Sequence, residues 1–284
     1  MIRLSNFNAQ LNSTEIDSVM ESACEIALNN PVSLYRFIHR FVFYAKTYST
    51  AVPSLCSAIG ASRFFQDPSC SFSPHSGRSM DVASKVFSAS VEEFCDPKTG
   101  VSHRTLSYGL LDTLAEYANL SVDEVNTISQ SGHWLLDIVN DVQTIYSPDS
   151  DDLAALIRAM GFHAAAETIG ENECRIIDSM IFRNRQDRSF RDFIRNRKIK
   201  FKDVAVSPWY WIVIHGAEGT HGLEVEHSAD AIEALNRAVA YTTESEEQII
   251  AWASQGFAQF ASIQKAFFAQ AKQEIQAVST LAAA

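Results

Sequence analysis

From Ser245 to about Val278 the chain reads as one long helix. Ile249, Trp252, Phe257, Phe260, Ile263 and Phe267 fall on one face of it at helical spacing. A stripe of that length stays in water unless other helices cover it. The rest of the sequence offers such partners. A hydroxyl cap ahead of Glu15 opens a helix running to Asn29-Asn30, and Pro31 suits the first turn of the next one. Residues 32–48 are dense in aromatics and predict a buried helix; a further helix is expected over 53–65. Residues 66–79 have loop composition. Helices are expected from Met80 to Cys95 and from His103 through Tyr117. Another runs from the capping box Ser121-Val-Asp-Glu124 to about Tyr146, and another over 151–169, ending near Gly170. No strand-period segment, internal repeat or domain boundary stands out. The expected fold class is all-α, a single domain spanning 1–284.

With 284 residues and a hydrophobic fraction of 46%, the chain can bury a sizeable core. Its net charge of −11 argues against nucleic acid or an anionic membrane as the main partner. The five cysteines show no paired spacing, which predicts free thiols in a reducing cytoplasm. No apolar run is long enough to span a bilayer. One segment runs against the acidic balance. Residues 183–202 hold Arg183, Arg185, Arg188, Arg191, Arg195, Arg197, Lys198, Lys200 and Lys202 with Phe190, Phe193 and Phe201 between them. It reads as a basic insertion, a solvated helix–loop better suited to an anionic substrate or partner than to nucleic acid.

The segment Ile214–Ala231, IHGAEGTHGLEVEHSADA, concentrates chemistry. It holds His215, His221 and His227 with Glu218, Glu224, Glu226 and Asp230, directly after the apolar run Pro208–Ile214. Imidazole nitrogen with carboxylate oxygen suits iron, zinc or manganese. Glu224 and His227, three apart, share a helix face. Two other places add donors: Glu93 with His103, and Glu167 among Ala164, Ala165 and Ala166, four residues after His163. A buried carboxylate must be protonated, paired or metal-bound. Carboxylates and imidazoles shared across a helical bundle are how two-metal sites are built. A second Glu-x-x-His pair, which the ferritin-like version would require, is not evident.

The arrangement resembles that of the heme-oxygenase-like diiron oxidases and oxygenases. Residues 91–103 resemble the first ligand element, with Glu93 and His103; residues 159–168 resemble the second, with Glu167; Glu224-Val-Glu-His227 resembles the end of the third. The similarity spans roughly 80–240. In the family pattern a histidine precedes the last ligand by seven residues; here Thr220 stands there, with His221 beside it. The resemblance implies a heme-oxygenase-like multi-helix bundle. It implies a metal set of Glu93, His103, Glu167, His221, Glu224 and His227, with His215 or Glu218 as alternatives to His221. Two Fe(II) per chain and O₂ would serve oxidation of a C–H or N–H bond in a small, amino-acid-like substrate in a biosynthetic reaction. That includes desaturation, C–N ring closure, N-oxygenation and fragmentation. An external electron donor and a homodimer are compatible with it. Arg104 or the basic segment is a candidate for holding a substrate carboxylate. The alternatives are a metal-free or cysteine-dependent enzyme of the thiaminase-like and PQQ-synthesis-like helical class, with Cys95 or Cys174 as nucleophile, and a non-catalytic protein that binds partners through 183–202.

Overall fold

The computed structural model describes every residue except 8–12, 131, 186, 217–222 and 284; for 13, 14, 89, 171, 223–226 and 279–283 it describes the backbone alone. Twelve α-helices follow one another among the described residues. After α1 (Ser13–Ala27), Asn30 caps α2 (Pro31–Ala61) by accepting from the Ser33 amide at 2.8 Å, with Pro31 in the first turn. The sequence suggests two helices here, but α2 passes straight through Pro53. Proline removes one helical donor. The burial of Thr47, Ala51, Val52, Leu55 and Ile59 on both sides of it holds the helix together.

The 66–79 connection contains a single turn, α3 (Ser73–Ser76), and is tied back by a Gln66–Gly77 bridge and an Arg78–Asp67 ion pair of 3.0 Å. Next come α4 (Ser79–Phe94) and α5 (His103–Tyr117), the latter capped by Ser102. The capping box expected at Ser121–Glu124 is present, but it opens α6 (Val122–Gln130), not a helix reaching Tyr146. The chain breaks at Gly132, whose φ of 84° suits glycine, and α7 (His133–Ile145) starts afresh. A Cβ at Gly132 would lie 2.8 Å from Arg40 Nε, so the break also makes room for a buried guanidinium.

Asp152 caps α8 (Leu153–Ile177), which does not stop at Gly170 but continues into a π-helical turn, Asp178–Arg183. The basic segment has the expected helix but is more than a helix–loop. It folds into α9 (Ser189–Arg195) and a hairpin of β1 (Ile199–Phe201) and β2 (Val204–Val206), with Ile199 opposite Val206. The strands are three residues each, too short for period-two alternation to register in the sequence. Several of its cations are used internally. Arg183 pairs with Asp178, Arg185 with Asp187 and Arg197 with Glu116, and the Arg197 guanidinium lies over Phe193.

The chain ends with α10 (Tyr210–His215), α11 (Leu223–Tyr241) and the long α12 (Glu246–Ala283). Two glycines let α8 and α12 meet backbone to backbone: a Cβ on Gly161 would lie 2.2 Å from the Ala253 carbonyl, and one on Gly256 would lie 2.0 Å from that of Arg158. Around this crossing, buried apolar residues from α1 to α12 form one continuous cluster. The anticipated stripe of α12 is in it, with Phe267 stacked on Tyr44 of α2 at 4.4 Å between ring centroids. All five cysteines are unbridged, and among the described residues no helix is long and apolar enough to cross a membrane.

Candidate metal centre

Glu93 sits on the last turn of α4, and His103 opens α5 after the turn that Asp96 organises. Asp96 accepts from the Thr99 amide and hydroxyl, both at 2.7 Å, and from the Tyr210 hydroxyl at 3.2 Å. That turn brings His103 Nδ1 to 2.8 Å from Glu93 Oε1. From α10, His215 Nε2 reaches the same oxygen at 3.2 Å. Glu93, His103 and His215 each offer one donor atom, and the three atoms lie within 4.8 Å of one another.

His215 Nδ1 lies 2.8 Å from the Trp211 carbonyl. A carbonyl only accepts, so this nitrogen carries the proton, and in a neutral ring Nε2 turns its lone pair to the carboxylate. Two acceptors 3.2 Å apart need a cation or a further proton between them. Metal-bound histidines are commonly oriented by a hydrogen bond of this kind from the other ring nitrogen. His103 Nε2 is buried without a hydrogen-bond partner among the described residues, 4.0 Å from Asp96 Oδ2.

A second group lies against the first. On α8, Glu167 Oε1 is 3.4 Å from His163 Nδ1, one turn earlier, and its Oε2 is 3.6 Å from Nδ1 of His227 on α11. His227 Nε2 points to Glu92 Oε2 at 3.8 Å, and that oxygen is also buried without a hydrogen-bond partner among the described residues. His163 is further positioned by the Tyr146 hydroxyl, 3.2 Å from Nδ1.

Burial acts to raise the Glu93 carboxyl, but the hydrogen bonds and charges of His103 and His215 outweigh it and hold it well below the usual carboxylate range. Glu167 follows the same logic. Burial raises it and His227 and His163 pull it down, while the Glu93 charge works against them. Burial lowers His163 despite Glu167, so its ring is neutral near pH 7. The result is a set of carboxylates held ionised among imidazoles, the donor set that divalent transition metals take.

The two groups share one cavity of about 110 Å³, lined by Glu93, His103, Glu167, His215 and His227, with Phe41, Val52, Trp211 and Phe260 as apolar wall. Arg104 and Lys46 also line it. Lys46 lies over the Phe43 ring, while the Arg104 guanidinium makes no ion pair among the described residues.

Of the six residues expected to bind metal, Glu93, His103, Glu167 and His227 line one cavity, and Glu93 and His103 stand in the cluster close enough to share an ion. His221 lies outside the described residues, as does Glu218, and the same holds for the side chain of Glu224. His215, an alternative on sequence grounds, stands with Glu93 and His103. Glu167 is not short of protein partners, as its alanine neighbours suggest, because His163 and His227 flank it. Three further residues attend the site without being expected as ligands: Glu92, adjacent to Glu93; His163, four residues before Glu167; and Asp96, which carries no sequence signal beyond its turn. Asp230 turns away to pair with Lys85 at 2.7 Å. No protein-family model, curated protein or solved structure matches the chain.

Proposed function

We propose that the chain is a non-heme diiron oxidase or oxygenase with a heme-oxygenase-like helical bundle, acting with O₂ on a small amino-acid-like substrate. The observation that carries this reading is the convergence of Glu93, His103 and His215 in a cavity that Glu167 and His227 also line, with His163 behind Glu167. The residues fit one metal ion at Glu93, His103 and His215, and Glu167 and His227 offer donors for a second. Glu93, His103 and His215 would hold one, and Glu167 and His227, with His163 or Glu92, the other. The orphaned Glu92 Oε2 is an atom that a cation would satisfy. Bound iron would supply O₂ activation. The chain's own part is to orient the imidazoles through Trp211 and Tyr146, to exclude bulk water with the apolar wall, and to hold a substrate carboxylate at Arg104.

Metal uptake competes with protons on the imidazoles, so affinity should rise with pH through the histidine range. Fe(II)-loaded protein should consume O₂ faster with one member of an amino-acid panel than without it. A panel that never changes O₂ uptake contradicts the substrate class. One observation favours the cysteine-dependent alternative: Cys174 lines the same cavity, whereas Cys95 is exposed. Activity abolished by Cys174→Ala in metal-free protein would select it.

A further inference from the structure

Six residues beyond Glu167 on α8, Glu173 places a second kind of chemistry in the same cavity. It lines the cavity yet is only 6% exposed, and no Lys or Arg pairs with it among the described residues. Its hydrogen-bond partner is Gln264 of α12, fully buried, whose Nε2 donates to Glu173 Oε1. The other amide atom, Gln264 Oε1, is buried with no hydrogen-bond partner among the described residues. Of the phenols nearby, Tyr48 donates to the Tyr44 hydroxyl at 2.7 Å. Around them stand Phe260 and Val52. Once Glu173 is ionised, carboxylate and amide oxygens therefore gather at an apolar wall with no cation beside them among the described residues. A buried acceptor left unmet is destabilising, and a protein keeps such a group where a ligand supplies the donor.

We propose that Glu173, with Gln264, binds the ammonium group of a primary-amine substrate. An ammonium brings three donors and one positive charge, which is what this patch lacks. The assignment names a substrate class for the site proposed above and rests on that reading for the chemistry, but the binding step needs no metal. Burial pushes the Glu173 carboxyl up to about 8 against the Gln264 hydrogen bond, so the empty cavity holds a neutral acid near pH 7. The groups facing it from α2, Tyr44 and Tyr48, are pushed well above the usual phenol range and stay neutral. On α1 Asp17 is bound by Asn172, and on α10 and α11 His215 and His227 face Glu93 and Glu167. When an alkylammonium arrives, Glu173 ionises and its proton leaves to solvent, while the ammonium keeps its own three.

The test uses the full chain freed of metal by chelation. n-Butylammonium, 1-butanol and butyrate are titrated calorimetrically at pH 7 in two buffers of different ionisation enthalpy. Butylammonium should bind about tenfold or more tighter than either analogue and release roughly 0.9 proton per site. Glu173→Gln should remove both the preference and the proton release. The proton count in the unaltered chain needs no variant. Equal binding of butanol, preference for butyrate, no proton release, or full binding by Glu173→Gln would each overturn the assignment. Butylammonium binding by a chain that takes up no iron would keep this assignment and remove the diiron reading; iron uptake without butylammonium binding would do the reverse.

Discussion

Glu93 is pulled in two directions, and the balance makes it testable. Burial favours its neutral acid, while His103 and His215 favour the carboxylate and prevail. Glu93→Ala removes the atom that both rings face. Iron uptake should fall by at least one ion per chain, measured by elemental analysis, with far-ultraviolet circular dichroism unchanged. His39 is the opposite kind of histidine. Burial, then the Arg40 charge, lowers it from 6.5 to about 4, and its ring is occupied by Ser129 at 3.1 Å and Arg40 at 3.1 Å. A depressed folded-state value means stability that is present above pH 6.5 and lost as pH falls towards 4. The shift amounts to about 3 kcal/mol, and urea midpoints between pH 7 and 4 should show a steep acid loss that His39→Gln flattens. Glu173 has the reverse sign. Its raised value means that stability present below pH 4.5 is lost as pH rises through about 8. Glu173→Gln should therefore be more stable than the unaltered chain in the absence of ligand, by up to about 5 kcal/mol at high pH and by little near pH 4.5. A difference that does not grow with pH would contradict the burial of an unpaired acid.

Elements were legible wherever one period held for several turns. The α12 stripe, the Ser121 capping box and the start of α5 at His103 follow from residue spacing and caps. Punctuation misled where tertiary packing outweighed it. Pro53 lies inside a helix because residues on both sides of it are buried, Gly170 lies inside α8, and Gly132 divides what reads as one helix where Arg40 occupies the space beside it. The hairpin at Ile199–Val206 was hidden by its length and its lysines. The α8–α12 crossing was also invisible, since Gly161 and Gly256 are far apart in sequence and only the fold sets them against carbonyls. Gly256→Ala should force the helices apart, because its Cβ would meet backbone and not a movable side chain. A loss of about 1–3 kcal/mol is expected in urea unfolding. An unchanged midpoint would mean that the helices are not in backbone contact.

At the scale of the molecule, α4, α5, α8, α10 and α11 each supply a residue to one cavity, so the site exists only when the bundle has assembled. The donor types can be read from the sequence, which offers Glu93, His103, Glu167, His221, Glu224 and His227. That Glu93 is shared by His103 and His215, and that His163 and Glu92 attend Glu167 and His227, depends on helix rotation and crossing, which one-dimensional spacing does not contain. The acidic composition and the helical periodicity bounded the fold class without naming the chemistry. The central claim is that this cavity holds two metal ions. Its most direct test is the iron content of the full chain after anaerobic loading with Fe(II) and removal of excess metal. The account predicts two irons per chain, bound more tightly at pH 8 than at pH 6; a chain that retains none would contradict it.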